Sequence, residues 1–109
     1  MLTVESLAKE LSLTPLCLPD PGREITGGYT GDLLSWVMGR ANEGDAWVTI
    51  MSNINVIAVA SLCDVACVIL ASGTVLEEKE LAAAREKGIN VLSSPLPSFE
   101  LCLAIGERL

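Results

Sequence analysis

Histidine is absent from this 109-residue sequence. Its absence removes the commonest general base, and with it the Ser-His and Cys-His nucleophile pairs. Aromatic residues are scarce: two Trp, one Tyr and one Phe. Half of the residues are hydrophobic, so the core has to be built from Leu, Ile, Val and Ala. Cations are in deficit, seven Lys and Arg against fourteen Asp and Glu, for a formal net charge of −7. Such a chain repels a phosphate backbone or an anionic bilayer, so neither nucleic acid nor membrane is an expected partner. Paired cysteine motifs are missing too. Among Cys17, Cys63, Cys67 and Cys102 the one close pair is Cys63-x-x-x-Cys67, a spacing that suits neither zinc nor an iron–sulfur cluster. All four lie in apolar runs, where Cys packs as a small hydrophobe. No metal site and no cofactor is expected. The N-terminus shows no secretory pattern, since Glu5, Lys9 and Glu10 interrupt it. Reduced thiols then fit a cytoplasmic location.

A long unbroken apolar run is also lacking. "INVIAVASLCDVACVILA", Ile54 to Ala71, approaches one, but a membrane span needs ~20 apolar residues with few polar ones. Asn55, Ser61 and Asp64 interrupt it. It reads as a buried helix, a turn near Asp64 and a buried strand.

What is present is alternation of strand and helix patterns. Val4, Leu7, Ala8 and Leu11 fall on one helical face, which predicts a helix from Thr3 to Leu11 with Thr3 as cap. "PLCLP" predicts a short strand and "DPGRE" a turn. A short extended piece then ends at Gly27-Gly28. A helix follows from Asp32 to Arg40, with Leu33, Leu34, Val37, Met38 and Ala41 as its apolar members. "AWVTIM" is a strand, and Ser52 or Asn53 caps the next helix, which runs to Cys63. "ACVILA" is a strand buried on both faces. Thr74-x-x-Glu77 reads as a capping box for a helix from Val75 to Lys87, ended by Gly88. "INVLS" is the last strand. Pro97 and Ser98 open the last helix, with Phe99, Cys102, Leu103 and Gly106 as its inward stripe.

The order α-β-β-α-β-α-β-α-β-α predicts the α/β class: one three-layer α/β/α domain over residues 1–109, with a mostly parallel sheet. The link from Leu18 to Ile25 is too short for a parallel crossover, which needs roughly a dozen residues. The first two strands therefore form a hairpin-like pair or lie apart at an edge.

One stretch invites a ligand. "EITGGYTGDLLSW", Glu24 to Trp36, places Gly27, Gly28 and Gly31 just ahead of a helix. Helix N-termini attract anions, and glycine lets a ligand approach the backbone. The stretch has no P-loop Lys and no G-x-G-x-x-G. Asp32 stands where it would cap the helix, and the plain alternative is a strand-to-helix turn with positive φ. Position adds to the case, because ligands of open α/β sheets bind beyond the carboxyl ends of strands. The candidate ligand contacts are Thr26, Gly27, Gly28, Tyr29, Gly31 and Asp32. Ser52, Asn53 and Asn55 join them after one strand, and Ser72 and Gly73 after the next. Taken singly, each reads as a helix cap or turn before it reads as a ligand contact. Taken together they make a neutral, hydroxyl-rich rim suited to a nucleotide-like molecule. No nucleophile–base pair accompanies the rim, so no catalytic residue is assigned.

"ITGGYTGDLLSWVMGRANEGDAWVTIMSNINVIAVASL", continued through "GINVLSSPLPSFEL", resembles the DRTGG domain from about Arg23 to Leu103. That family is named for Asp-Arg-Thr-Gly-Gly. Here Glu24, Ile25, Thr26, Gly27 and Gly28 stand at those positions, so Thr-Gly-Gly is kept and the Arg is not. DRTGG domains are similar to the N-terminal domain of HPr kinase/phosphorylase. They sit beside phosphotransacetylase domains and between the CBS domains of regulated pyrophosphatases, where the neighbouring domain carries the chemistry. The resemblance implies a non-catalytic regulatory or protein-interaction module, homodimeric, working beside an unidentified enzyme partner. Tyr29, Trp36 and Met38 are side chains that favour interfaces, and they are the expected dimer contacts. The alternative is a sensor of an adenine-nucleotide-like ligand at the rim. A third reading is a small enzyme using Asp32 or a cysteine thiolate.

Overall fold

The computed structural model describes every residue from Met1 to Leu109. Ten elements follow the expected order: α1 (Val4–Glu10), β1 (Thr14–Cys17), β2 (Gly27–Thr30), α2 (Leu34–Arg40), β3 (Asp45–Thr49), α3 (Val56–Cys63), β4 (Cys67–Leu70), α4 (Glu78–Lys87), β5 (Val91–Ser93) and α5 (Ser98–Gly106). The strands form one sheet in the order β1-β5-β4-β3-β2. β2, β3, β4 and β5 run parallel, and β1 joins β5 antiparallel.

β1 and β2 thus lie at opposite edges, and no hairpin joins them. The chain between them is tied to the start of α1: Val4 N–H donates to Arg23 O (2.9 Å) and Ile25 N–H to Leu2 O (2.8 Å).

Side-chain alternation along the strands sorts the core into two layers. Ala46, Val48, Cys67, Ile69 and Leu92 face α1 and α5, packing with Leu7, Leu101 and Ile105. Trp47, Val68, Leu70 and Val91 face the other way, against Val37 of α2, Ala60 of α3 and Ala84 of α4. Every residue of β3 and β4 is buried, as the unbroken apolar run of "ACVILA" predicts for a parallel sheet covered on both sides. The result is the expected three-layer α/β/α arrangement. No helix is long and apolar enough to cross a membrane; Val56–Cys63 is a helix and Cys67–Leu70 a strand, with Asp64 turning between them at φ 56°.

Local signals held where nothing competed with them. Thr3 caps α1 in a reciprocal capping box with Ser6, and Gly88 ends α4 at φ 73°. Elsewhere tertiary packing overrode them. Gly27 and Gly28 open β2 instead of ending a strand, and none of Gly27, Gly28 and Gly31 has a positive φ. Asp32 does not cap α2, whose N-cap Leu33 makes no side-chain bond. Neither Ser52 nor Asn53 is the cap of α3; that place is taken by Asn55. The Thr74–Glu77 box does not form, and α4 starts only at Glu78. Leu76, just ahead of the helix, is buried in the α2–α4 layer (6% exposed). In α5 the inward residues are Leu101 and Ile105, with Cys102 half-buried, while Phe99 and Leu103 are exposed. Two i,i+4 apolar pairs compete for that helix's inner face, and the sheet selects the Leu101–Ile105 pair.

Candidate functional site

The Thr-Gly-Gly motif sits at the amino end of the β2–β3 pair, where it serves packing. A Cβ on Gly27 would stand 2.6 Å from Asp45 Oδ1. A Cβ on Gly44, which has φ 83°, would collide with Thr26 Oγ1. Asp45 is buried, and its Oδ2 accepts from Asn42 N–H at 2.7 Å. Gly27 therefore makes room for a buried carboxylate, and Gly44 for a threonine hydroxyl. Ile25, at the position of the Arg in Asp-Arg-Thr-Gly-Gly, is 3% exposed within the α1–α5 layer. An apolar residue there belongs to the core.

The strand ends divide the remaining candidates. Gly31 and Asp32 follow β2, Ser52, Asn53 and Asn55 follow β3, and Ser72 and Gly73 follow β4. The parallel strands bring these residues to one carboxyl rim. Thr26 and Gly27 lie at the opposite end of β2, on the order of 13 Å away for four residues of strand. Gly28 and Tyr29 lie within the strand.

Hydrogen bonds lock much of the rim internally. Asp32 Oδ1 accepts from Thr49 Oγ1 (2.7 Å) and Ile50 N–H (2.9 Å). Trp47 Nε1 donates to Gly31 O (3.0 Å). Asp32 thereby fixes the end of β2 to the end of β3, which accounts for a carboxylate that caps nothing. Ser72, at φ 56°, donates its N–H to Leu96 O, and Gly73, at φ 74°, donates to Ser94 O. Asn55 N–H donates to Asn53 Oδ1 (2.8 Å). The side chains of Ser52, Asn53, Asn55 and Ser72 stay exposed, so a ligand on the rim would meet hydroxyls and amides.

Two further features flank β2. On the α2–α4 side, Trp36 and Met38 of α2 and Leu62 of α3 are 55%, 47% and 71% exposed. The Arg40 guanidinium lies 4.0 Å over the Trp36 ring, a cation–π contact. The α2 and α3 stretches carry little charge: Asp32 and Arg40 are the sole charged residues between 25 and 42, and none occurs from Ala46 to Cys63. On the α5 side, a cavity of about 230 Å³ opens between α5 and β2–β3, lined by Gly28, Thr30, Val48, Cys102, Gly106 and Leu109 among others. The sequence reading missed this cavity. Gly28 and Gly106 contribute no side chain to its lining, and nothing lies within 4 Å of a Cβ built on Gly106.

Cys17, Cys63 and Cys67 are poorly suited to nucleophilic work. Burial pushes Cys67 up to about 12, and burial likewise raises Cys17 and Cys63 above the ordinary thiol value. No cluster of three or more metal-ligating side chains forms.

Neither a family profile nor a curated protein matches the chain. Among solved structures, one match is the crystal structure of the CBS and DRTGG domains of the regulatory region of Clostridium perfringens pyrophosphatase, complexed with the activator diadenosine tetraphosphate. It aligns with a TM-score of 0.69 at 17% identity, over 86% of this chain and 41% of that one. The chain thus spans less than half the length of that structure. Its fold is DRTGG-like.

Proposed function

We propose that this DRTGG-like chain is a non-catalytic regulatory or protein-interaction module of one domain, and that it forms a homodimer through the α2–α3 face. The observation that carries this reading is the exposed apolar surface of Met38 and Leu62, which line one uncharged groove with Leu34 and Val59 on a chain of net charge −7. Exposed apolar patches of this kind mark interaction surfaces, and Trp, Met and Tyr are enriched in them. Two copies of so acidic a chain repel one another on most faces, and this face carries least of that repulsion. Trp36 and Tyr29 lie together on the β2 side of α2, beside Arg40. The regulatory context of the solved neighbour supports a role beside an enzyme partner. Four free cysteines support a reducing, cytoplasmic location.

Light scattering coupled to size exclusion tests the dimer. The expected mass is twice 11.5 kDa, and Met38→Glu combined with Leu62→Glu is expected to return it to one chain with unchanged far-UV dichroism. A wild-type monomer at millimolar concentration would overturn the dimer.

A second reading is a sensor for a nucleotide-like ligand at the rim of Ser52, Asn53, Asn55 and Ser72. The support is that the solved neighbour was crystallised with a dinucleotide activator. Adenine nucleotide at ~100 times its dissociation constant would stabilise the chain by about 2.7 kcal/mol, read as a thermal shift that Asn53→Ala diminishes. An unmoved melting temperature at millimolar nucleotide excludes it.

A further inference from the structure

We propose that the open edge of β2 receives an extended strand from a partner protein, with an apolar side chain alternating with an acidic one. This rests on the interaction-module reading and names the partner's chemistry.

The first support is the backbone. β2 pairs on one side only, with β3. Its register sets Tyr29 beside Trp47 and Thr30 beside Val48, and Gly31 N–H donates to Val48 O. Alternate residues of a parallel ladder bond to the same side. Tyr29 and Gly31 therefore face β3, and Gly28 and Thr30 turn their N–H and C=O groups outward. These are the groups through which an added strand gains affinity. β2 carries none of the usual guards against such pairing, neither Lys nor Pro nor any other charge.

The second support is a hollow on each face of that edge. Side chains of an added strand point alternately up and down. On one face they meet the apolar cavity beside Gly28, Thr30, Cys102 and Gly106. On the other they meet a groove of about 380 Å³ lined by Tyr29, Leu33, Trp36 and Arg40, with Asp32 at its end. Arg40 is the groove's one cation, and the Asp32 carboxylate is turned toward Thr49 and Ile50. An acidic residue thus fits over Arg40, and an apolar residue fits the cavity.

A second copy's β2 is a poor occupant. Its sequence, Gly-Gly-Tyr-Thr, has one large side chain, and its Gly28 would leave the α5-side cavity empty.

The test is selection of a displayed random decapeptide library against the full-length chain, followed by calorimetric titration of the enriched peptides. The expected result is enrichment of alternating apolar and acidic residues. Gly106→Leu adds bulk to the cavity's lining at a helical position where nothing obstructs the new side chain, and it should weaken binding roughly tenfold or more. Arg40→Glu should weaken it as well, with recovery when the peptide's acid is changed to lysine. The proposal is overturned if no sequence enriches above background, or if enriched peptides bind wild type and Gly106→Leu equally. It is also overturned if Gly106→Leu dissociates the dimer, since the edge then pairs with a second copy. Dimer mass, read on the same samples, separates failure of this site from failure of the module reading: retention of a Met38-dependent dimer without peptide binding removes the strand site alone.

Discussion

β1 borders the sheet with Pro15, a register irregularity between Pro15 and Cys17, and an antiparallel partner in β5. β2 borders it with four uncharged residues, two of them glycine, in regular parallel register with β3. The first edge carries two of the devices that stop edge strands from recruiting neighbours, and α4 packs against it. The second carries neither, and a hollow lies on each side of it. The loop after β1 is also fastened, by the Asn90 side chain to Asp20 N–H and O at 2.9 and 2.7 Å. The loop after β2 is fastened by Asp32 and by the Trp47 indole. Both edges are thus held in place, and only one is closed to partners. Where a fold rigidifies an edge and leaves it unguarded, that edge is the reasonable place to look for function.

The largest way to break this contrast is Trp47→Ala. Trp47 is fully buried beside Tyr29 and supplies the bond to Gly31 O. The loss is expected to be about 3–5 kcal/mol in denaturant unfolding, with β2 detaching first. Asp32→Ala is expected to cost about 1–3 kcal/mol, because it leaves the hydroxyl of fully buried Thr49 and the Ile50 N–H without their acceptor. Amide exchange at Gly31 should quicken while exchange on β1 stays unchanged.

Alkaline pH tests the centre of the sheet, between the edges. Folding raises Cys67 from 9.0 to about 12. The unfolded chain releases this proton above pH 9 and the folded chain retains it, so stability present below pH 9 is lost as pH rises toward 12. Cys67 is expected to contribute a slope of about 1.4 kcal/mol per pH unit in that window, and Cys67→Ala should remove that share while leaving the part due to Cys17 and Cys63. The smallest effect is expected from Pro15→Val, within about 0.5 kcal/mol of wild type by thermal unfolding. It should leave β1 closed, since the register irregularity and α4 remain.

Much of this architecture was legible in the sequence because strand and helix periods survive packing. The cap at Thr3, the stop at Gly88 and the double burial of Cys67–Leu70 each follow from residues a few positions apart. The rim of strand ends was legible for the same reason, since parallel order alone brings Ser52 and Ser72 together. The misread features depend on distant partners. Gly27 looked like turn chemistry, yet the reason for its missing Cβ is the Asp45 carboxylate, eighteen residues away in sequence and adjacent in the sheet. Asp32 looked like a cap, yet it answers Thr49 across β2–β3. The α5-side cavity joins Gly28 to Gly106, and no local pattern announces side chains that two distant positions both lack.

The most direct measurement is residue-resolved amide hydrogen exchange on β2, with and without a peptide from the library selection. Gly28 and Thr30 are expected to exchange rapidly in the free chain while Tyr29 and Gly31 are protected, and the peptide is expected to slow Gly28 and Thr30. Equal protection of all four amides in the free chain, or no change at Gly28 and Thr30 when the peptide is bound, would contradict the open edge.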